Sequence, residues 1–382
     1  MQLETLTFTR DKGWSIRPFP ALDSEQTLVV VFGAPAYGAD AAPIRELRAA
    51  FPRSCFVGCS TSGEISGADL ADDSLTVAIA RLEHSDLASA SAHVAGPQDS
   101  FGAGVHLAET LTREDLRAIL VLSDGVQVNG SELVRGLNSK VPENVVVTGG
   151  LAGDGDRFQS TWVLGEEGPD SGMVAAVGLY GDRLRIGHGS KGGWDIFGPE
   201  RVITRSRGNV LYELDGKPAL ELYKSYLGER ASGLPATALL FPLAVRSADG
   251  EGKVLVRTIL GVDESAQSMT FAGDMPEGHL AQLMRANFDR LVLGASEAAL
   301  ETRRTASLGQ DLTQTLAIAI SCVGRRLILG ARTEDEIEAA LAELPEGTRQ
   351  IGFYSYGEIS PFASGHCDLH NQTMTLTTIS ES

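Results

Sequence analysis

The chain is short of cysteine, of positive charge and of long apolar runs, and each shortage removes a class of function. Its four cysteines in 382 residues, Cys55, Cys59, Cys322 and Cys367, form no CxxC pair and no CxxCH haem-attachment signal, which fits reduced thiols in a cytosol. Lys and Arg number 32 against 50 Asp and Glu, a formal net charge of −18. That charge repels phosphate backbones and anionic head groups, so nucleic acid and membrane surfaces are poor partners. No apolar run approaches the ~20 residues of a membrane helix. The opening residues MQLETLTFTRD lack the basic and apolar regions of an export signal, and the expectation is a cytoplasmic chain.

What is present is apolar content, 43% of residues, and 43 glycines placed singly or in short clusters. Single cores stop growing near ~250–300 residues, so two domains are expected, 1–204 and 205–382. The apolar runs are short and rich in aliphatic residues: TLVVVF, LTVAIA, AILVL, NVVVT and MVAAVGL read as buried strands. Between them AAPIRELRAAF, GSELVRGLNSK and TEDEIEAALAEL have helical spacing, the last with Thr333 as expected N-cap. HLAQLMRANFDRLVLGASEAALE reads as a helix of the second half.

The two ends of the chain repeat one another. TLVVVF, a helix, CFVGCSTSGEI and SLTVAIA recur in order as TLAIAI, a helix, QIGFYSYGEI and TMTLTTI, so Gly58, Thr61, Gly63, Glu64 and Ile65 match Gly352, Ser355, Gly357, Glu358 and Ile359. AILVLSDG and VVVTGGLAGDG repeat the theme less clearly in the middle. The reading is an internal duplication, an α/β fold of two pseudo-repeated units with mixed sheets. Its ligand site is expected near strand ends or in a pocket between units.

The blocks GCSTSGEI, LSDGVQVNG, GGLAGDG, HGSKGGWDIFGPE, DGKPALELYKSYLGE, LPATALLFPL, FAGDMPEGHLAQLM, SCVGRRLILG, GFYSYGEISP and LHNQTMT resemble motifs of the bacterial FIST family, from about Leu28 to Thr378. The resemblance implies an N-terminal and a C-terminal FIST domain of an intracellular sensor for small ligands such as amino acids. A chain of this make-up resembles a group of stand-alone haem proteins that respond to nitric oxide. That likeness implies haem as cofactor, a separate histidine kinase or cyclic-di-GMP enzyme as partner, and self-association.

Candidate site residues follow from the motifs. The GCSTSGEI loop offers Cys59, Ser60, Thr61 and Glu64, matched by Glu358; the two glutamates could equally hold loops or bridge the halves. Asp124 after AILVLS and Asp154 in GGLAGDG are ligand contacts or plain turn residues. His188 with Lys191 and Trp194, and the GHCDLHNQ stretch with His366, His370 and Asn371, supply the haem-iron candidates His188 and His370. Tyr354 and Tyr356 alternate on a strand end, Tyr354 being a further haem candidate. Cys322 precedes Arg325 and Arg326, of which Arg325 could hold a propionate or a carboxylate, unless it pairs with Glu64 or Glu358. An amino-acid sensor using Arg325, Glu358 and the serine-rich loop is the alternative. A hydrolase using Ser60 or Cys59 is a third reading, although GCSTSG is not the G-x-S-x-G elbow and no histidine base is assignable.

Overall fold

The apolar runs do become strands, arranged in three turns of one repeat. The computed structural model describes residues 1–234, 236–248, 254–306, 314–361 and 365–382. In the first unit the strand Thr27–Gly33, the helix Ala42–Ala50 and the strand Cys55–Ser60 form a parallel pair with its crossover, and Ser74–Arg81 returns antiparallel to the first strand. The second unit repeats this as Leu116–Ser123, Gly130–Asn138, Val146–Leu151 and Met173–Tyr180. The third does so as Leu316–Cys322, Thr333–Ala342, Arg349–Ser355 and Met374–Glu381. The first strand of each unit is buried along nearly its whole length, because it is covered on both faces.

The units are tied together by exchanged strands. Glu64–Ser66 of the first unit pairs with Arg349–Ser355 of the third, Gly357–Pro361 of the third with Val146–Leu151 of the second, and Val163 of the second with Cys59 of the first. The ring therefore closes, and the duplicated GEI residues are the strands that cross between units. Glycine at one register position makes this possible. Gly58, Gly149 and Gly352 lie opposite Val31, Val121 and Ala319, where a Cβ would stand 2.3, 1.7 and 1.9 Å from those residues' carbonyl oxygens.

Inner faces of the three sheets share one core, with Val30, Phe32 and Val57 against Leu120, Leu122 and Val177 and against Ile318, Ile320 and Phe353. The Phe32 and Phe353 rings meet at 4.6 Å. Outside, Ile44 and Leu47, Leu133 and Leu137, and Ile337 and Ala340 seal each helix onto its sheet. Between the second and third units, residues from Trp194 to Ala286 build an antiparallel eight-stranded sheet around a separate core of Leu211, Leu220, Tyr223, Phe241, Met269 and Phe271. The chain is thus an α/β protein of several mixed and antiparallel sheets.

Two local expectations change. HLAQLMRANFDRLVLG begins as the strand Leu280–Ala286, paired on both sides, and turns helical only at Phe288–Thr305, where Asn287 accepts the Arg290 N–H at 3.3 Å. Thr333 is the first helical residue, not the cap; its hydroxyl donates to the Gly330 carbonyl at 2.6 Å. Among the described residues no helix is long and apolar enough to cross a membrane.

Candidate functional site

The duplicated carboxylates hold the ring shut. Glu64 accepts the Ser74 N–H at 3.0 Å and its hydroxyl at 2.8 Å, and takes the Thr61 hydroxyl as well. Glu358 does the same with the Thr373 N–H (3.2 Å) and hydroxyl (2.9 Å) and with the Ser355 hydroxyl (2.7 Å). Each fixes a crossing strand to the start of its own return strand. Burial pushes Glu64 up to about 7 and Glu358 up to about 8, against hydroxyl and amide bonds that pull both down. A carboxyl raised in the fold binds more protons folded than unfolded between its ordinary value near 4.5 and the raised one. Its stabilisation is therefore complete below about pH 4.5 and is lost as pH rises through 7 and 8. Urea unfolding should show stability declining from about pH 5 to pH 8, with a flatter profile in the Glu64→Gln/Glu358→Gln double variant; an unchanged slope would reject this assignment.

Most other named residues are committed inside the protein. Arg325 and Glu336 form a wholly buried ion pair at 2.6 Å. The guanidinium also donates to the carbonyls of Leu291 (2.8 Å) and Gly192, while Tyr354 (2.7 Å) and Ser321 (2.9 Å) donate to the other carboxylate oxygen. The partner of Arg325 is thus Glu336. Ser60 accepts the Trp162 N–H at 3.0 Å. Cys59 is buried, and burial alone lifts its thiol well above the ordinary range; Cys322 is lifted too, by burial and then by the nearby Glu358 carboxyl. Asp124 receives the N–H groups of Val126, Gln127 and Gly172. Trp194 donates its indole N–H to the Gln372 carbonyl at 2.9 Å. Asn371 is buried, its amide atoms without hydrogen-bond partners among the described residues.

His188 and His370 lie on strands of different sheets. His188 is buried on Leu184–Lys191, its backbone bonded to the Thr305 hydroxyl; burial lowers the imidazole's basicity, with Glu301 opposing. His370 donates from Nε2 to the Ser360 carbonyl at 3.0 Å. Among the described residues, no three His, Cys, Asp or Glu side chains converge as a metal site.

Asp154 and Tyr356 meet at the open end of the ring. Asp154 accepts the N–H groups of Phe158 (2.8 Å), Gln159 (3.1 Å) and Ser160 (3.0 Å) and the hydroxyl of Tyr356. Burial works to raise this carboxyl, yet the tyrosine and the amides together hold it below the usual carboxylate range. Gly155 binds the Ser62 hydroxyl of the first unit, so this loop touches all three units. It presents Phe158, at φ +51°, stacked on Tyr356 with ring centroids 4.3 Å apart and planes 16° apart.

Past Phe158 opens a cleft of about 800 Å³ between this loop and the eight-stranded domain, walled by Leu234, Leu239, Leu240, Ile259, Leu260, Leu327 and Ile328, with Asp156 and Arg157. A smaller chamber of about 190 Å³, lined by Tyr356, Val126 and Leu151, lies behind Phe158 and shares Leu260. A third hollow, about 400 Å³, shares Asp156 and Leu327 and contains Ser62 and Arg326. Arg326 grips Asp72 with two bonds of 2.9 and 2.7 Å. Asp154→Ala should strand three amides and one hydroxyl, costing about 1–3 kcal/mol, with hydrogen exchange raised over residues 154–160; protection equal to wild type would show that the carboxylate does not order the loop.

Two family models cover the chain. Residues 27–217 match the FIST N domain and residues 219–361 the FIST C domain. The chain belongs to the FIST family. FIST domains are sensory domains of signal transduction. No curated protein matches the sequence. Among solved structures the chain is similar to a cyanuric acid hydrolase from A. caulinodans, at 13% identity over 78% of this chain and 99% of that one, with a TM-score of 0.19.

The matches give the cleft a place in the family's terms. Asp156, Arg157 and Phe158 come from the FIST N match, and the aliphatic walls from the FIST C match, so the cavity lies between the two FIST domains. The residues named for haem do not gather there. Tyr354 and Arg325 share the buried Glu336 network, His188 and His370 make their own internal bonds elsewhere, and the described cleft lining holds no imidazole, thiol, phenol or thioether. These residues do not fit an axially ligated haem in the cleft. The walls Leu240, Leu260 and Leu327 and the ring of Phe158 escape sequence reading, since they come from four separate segments; only Phe158, a bulky residue in the polar run GDGDRFQS, carries a signal.

Proposed function

We propose that this FIST protein is a sensor whose small-molecule ligand occupies the cleft between its two domains, and whose bound state is read by a separate partner such as a histidine kinase or a cyclic-di-GMP enzyme. The observation that carries the reading is the convergence of exposed apolar side chains. Phe158, Leu260 and Leu327, each 38–45% exposed, all line the cleft. Exposed apolar surface gathered into one concavity is the usual form of a ligand site, and its size suits a molecule of a few hundred daltons. The reading gives no chemical role to Ser60 or Cys59: both are buried, the Ser60 hydroxyl accepts the Trp162 N–H, and burial lifts the Cys59 thiol.

A thermal-shift screen of purified protein against small molecules tests it, with Leu240→Trp as a cleft-filling comparison. The expected result is a compound class that raises the melting temperature of the wild type in a saturable way and leaves the variant unmoved. Compounds that shift both proteins equally would place binding outside the cleft and reject the proposal.

A further inference from the structure

We infer that the ligand of this cleft is a planar aromatic molecule which stacks on Phe158, an inference that rests on the cleft being the sensor's binding site. Among the described residues Phe158 is the aromatic side chain of the cleft lining, and it lines the smaller chamber as well, whereas Tyr356 lines only the smaller one. One side of its ring is stacked on Tyr356. Phe158 is 38% exposed and lines the large cleft, so a ligand on its open side would form one column with Phe158 and Tyr356.

Holding the ring there costs conformational energy. A left-handed backbone at a bulky residue is an outlier, and the other non-glycine residues with positive φ among the described residues, Asp73, Asp215, Gln267 and Gln372, are all polar. The Phe158 conformation is imposed by Asp154, which accepts its N–H at 2.8 Å, and by Tyr356, whose hydroxyl binds Asp154 from the third unit. Strain retained by such a network, on an aromatic side chain facing an apolar cavity, marks a presented recognition element more than a packing residue. Leu240, Ile259, Leu260 and Leu327 give the same cleft aliphatic walls.

Aromatic pairs gain stacking beyond area burial, and aliphatic groups of equal size do not. The test compares naphthalene with decalin, its saturated counterpart of similar size, by thermal shift and by calorimetric titration of the full chain, in the wild type, Phe158→Leu and Leu240→Trp. Phe158→Leu keeps an apolar side chain and removes the π face. The expected result is tighter binding of naphthalene than of decalin to the wild type, a loss of about three- to tenfold for naphthalene in Phe158→Leu, little change for decalin, and no binding of either to Leu240→Trp. Equal affinities that Phe158→Leu leaves unaltered would overturn the aromatic assignment and leave the cleft as a general apolar site. Binding of neither compound to the wild type would also overturn the aromatic assignment, while the cleft reading stands or falls on the compound screen.

Discussion

Arg325→Ala is expected to lower the unfolding free energy by about 3–5 kcal/mol, measured by urea unfolding followed by circular dichroism. The arginine was a candidate to meet a ligand carboxylate, but its donors are spent on Glu336 and on the carbonyls of Leu291 and Gly192. Removing it leaves Glu336 buried with only the Ser321 and Tyr354 hydroxyls to stabilise its charge, and an uncompensated buried charge is among the costliest defects a core can hold. Arg325→Lys should recover little, because a point charge cannot reproduce the forked contacts. The double variant Arg325→Met/Glu336→Leu should be less damaging than Arg325→Ala, since it removes both charges together. A loss below about 1 kcal/mol for Arg325→Ala would place the pair among surface-like ion pairs and contradict its burial.

Alanine at Gly149, Gly58 or Gly352 should cost more than about 4 kcal/mol each, enough to prevent accumulation of folded protein. The obstacle at each position is a carbonyl oxygen of the neighbouring strand, 1.7 to 2.3 Å from the new Cβ, and main chain cannot give way as a flexible side chain could. The three positions share one register in the three units, so the account expects one common penalty. Gly67→Ala, a glycine at φ +63° with nothing near its Cβ, should show only the smaller backbone cost, about 1–2 kcal/mol. Soluble yield and melting temperature measure both sets. A Gly149→Ala protein as stable as Gly67→Ala would disprove the shared close approach.

How far the sequence reveals this fold depends on the distance over which each element is determined. The runs TLVVVF, LTVAIA and AILVL announce strands because burial on both faces demands unbroken apolar residues, and Asn129 ahead of GSELVRGLN announces a helix by accepting the Ser131 and Glu132 amides. LAQLMRA suits helix as well as strand, and only pairing on both sides decides it. The GEI repeat is visible, but not that each copy crosses to another unit, because strands as short as Glu64–Ser66 carry no usable period. Glu336 has a local signal, an acid on the apolar stripe with Ile337 and Ala340. The link from Asp154 to Tyr356 has none, spanning 202 residues. A cleft assembled from four segments is a tertiary property and leaves still less trace.

The most direct test of the central claim is hydrogen–deuterium exchange of the full chain with and without a saturating compound from the thermal-shift screen. The account predicts new protection over residues 154–160, 237–240 and 327–328, which border the cleft, together with slower exchange at Tyr356 through its bond to Asp154. Protection that spares these segments and falls instead on Leu184–Lys191 and Cys367–His370, the strands of His188 and His370, would contradict the cleft as the sensory site.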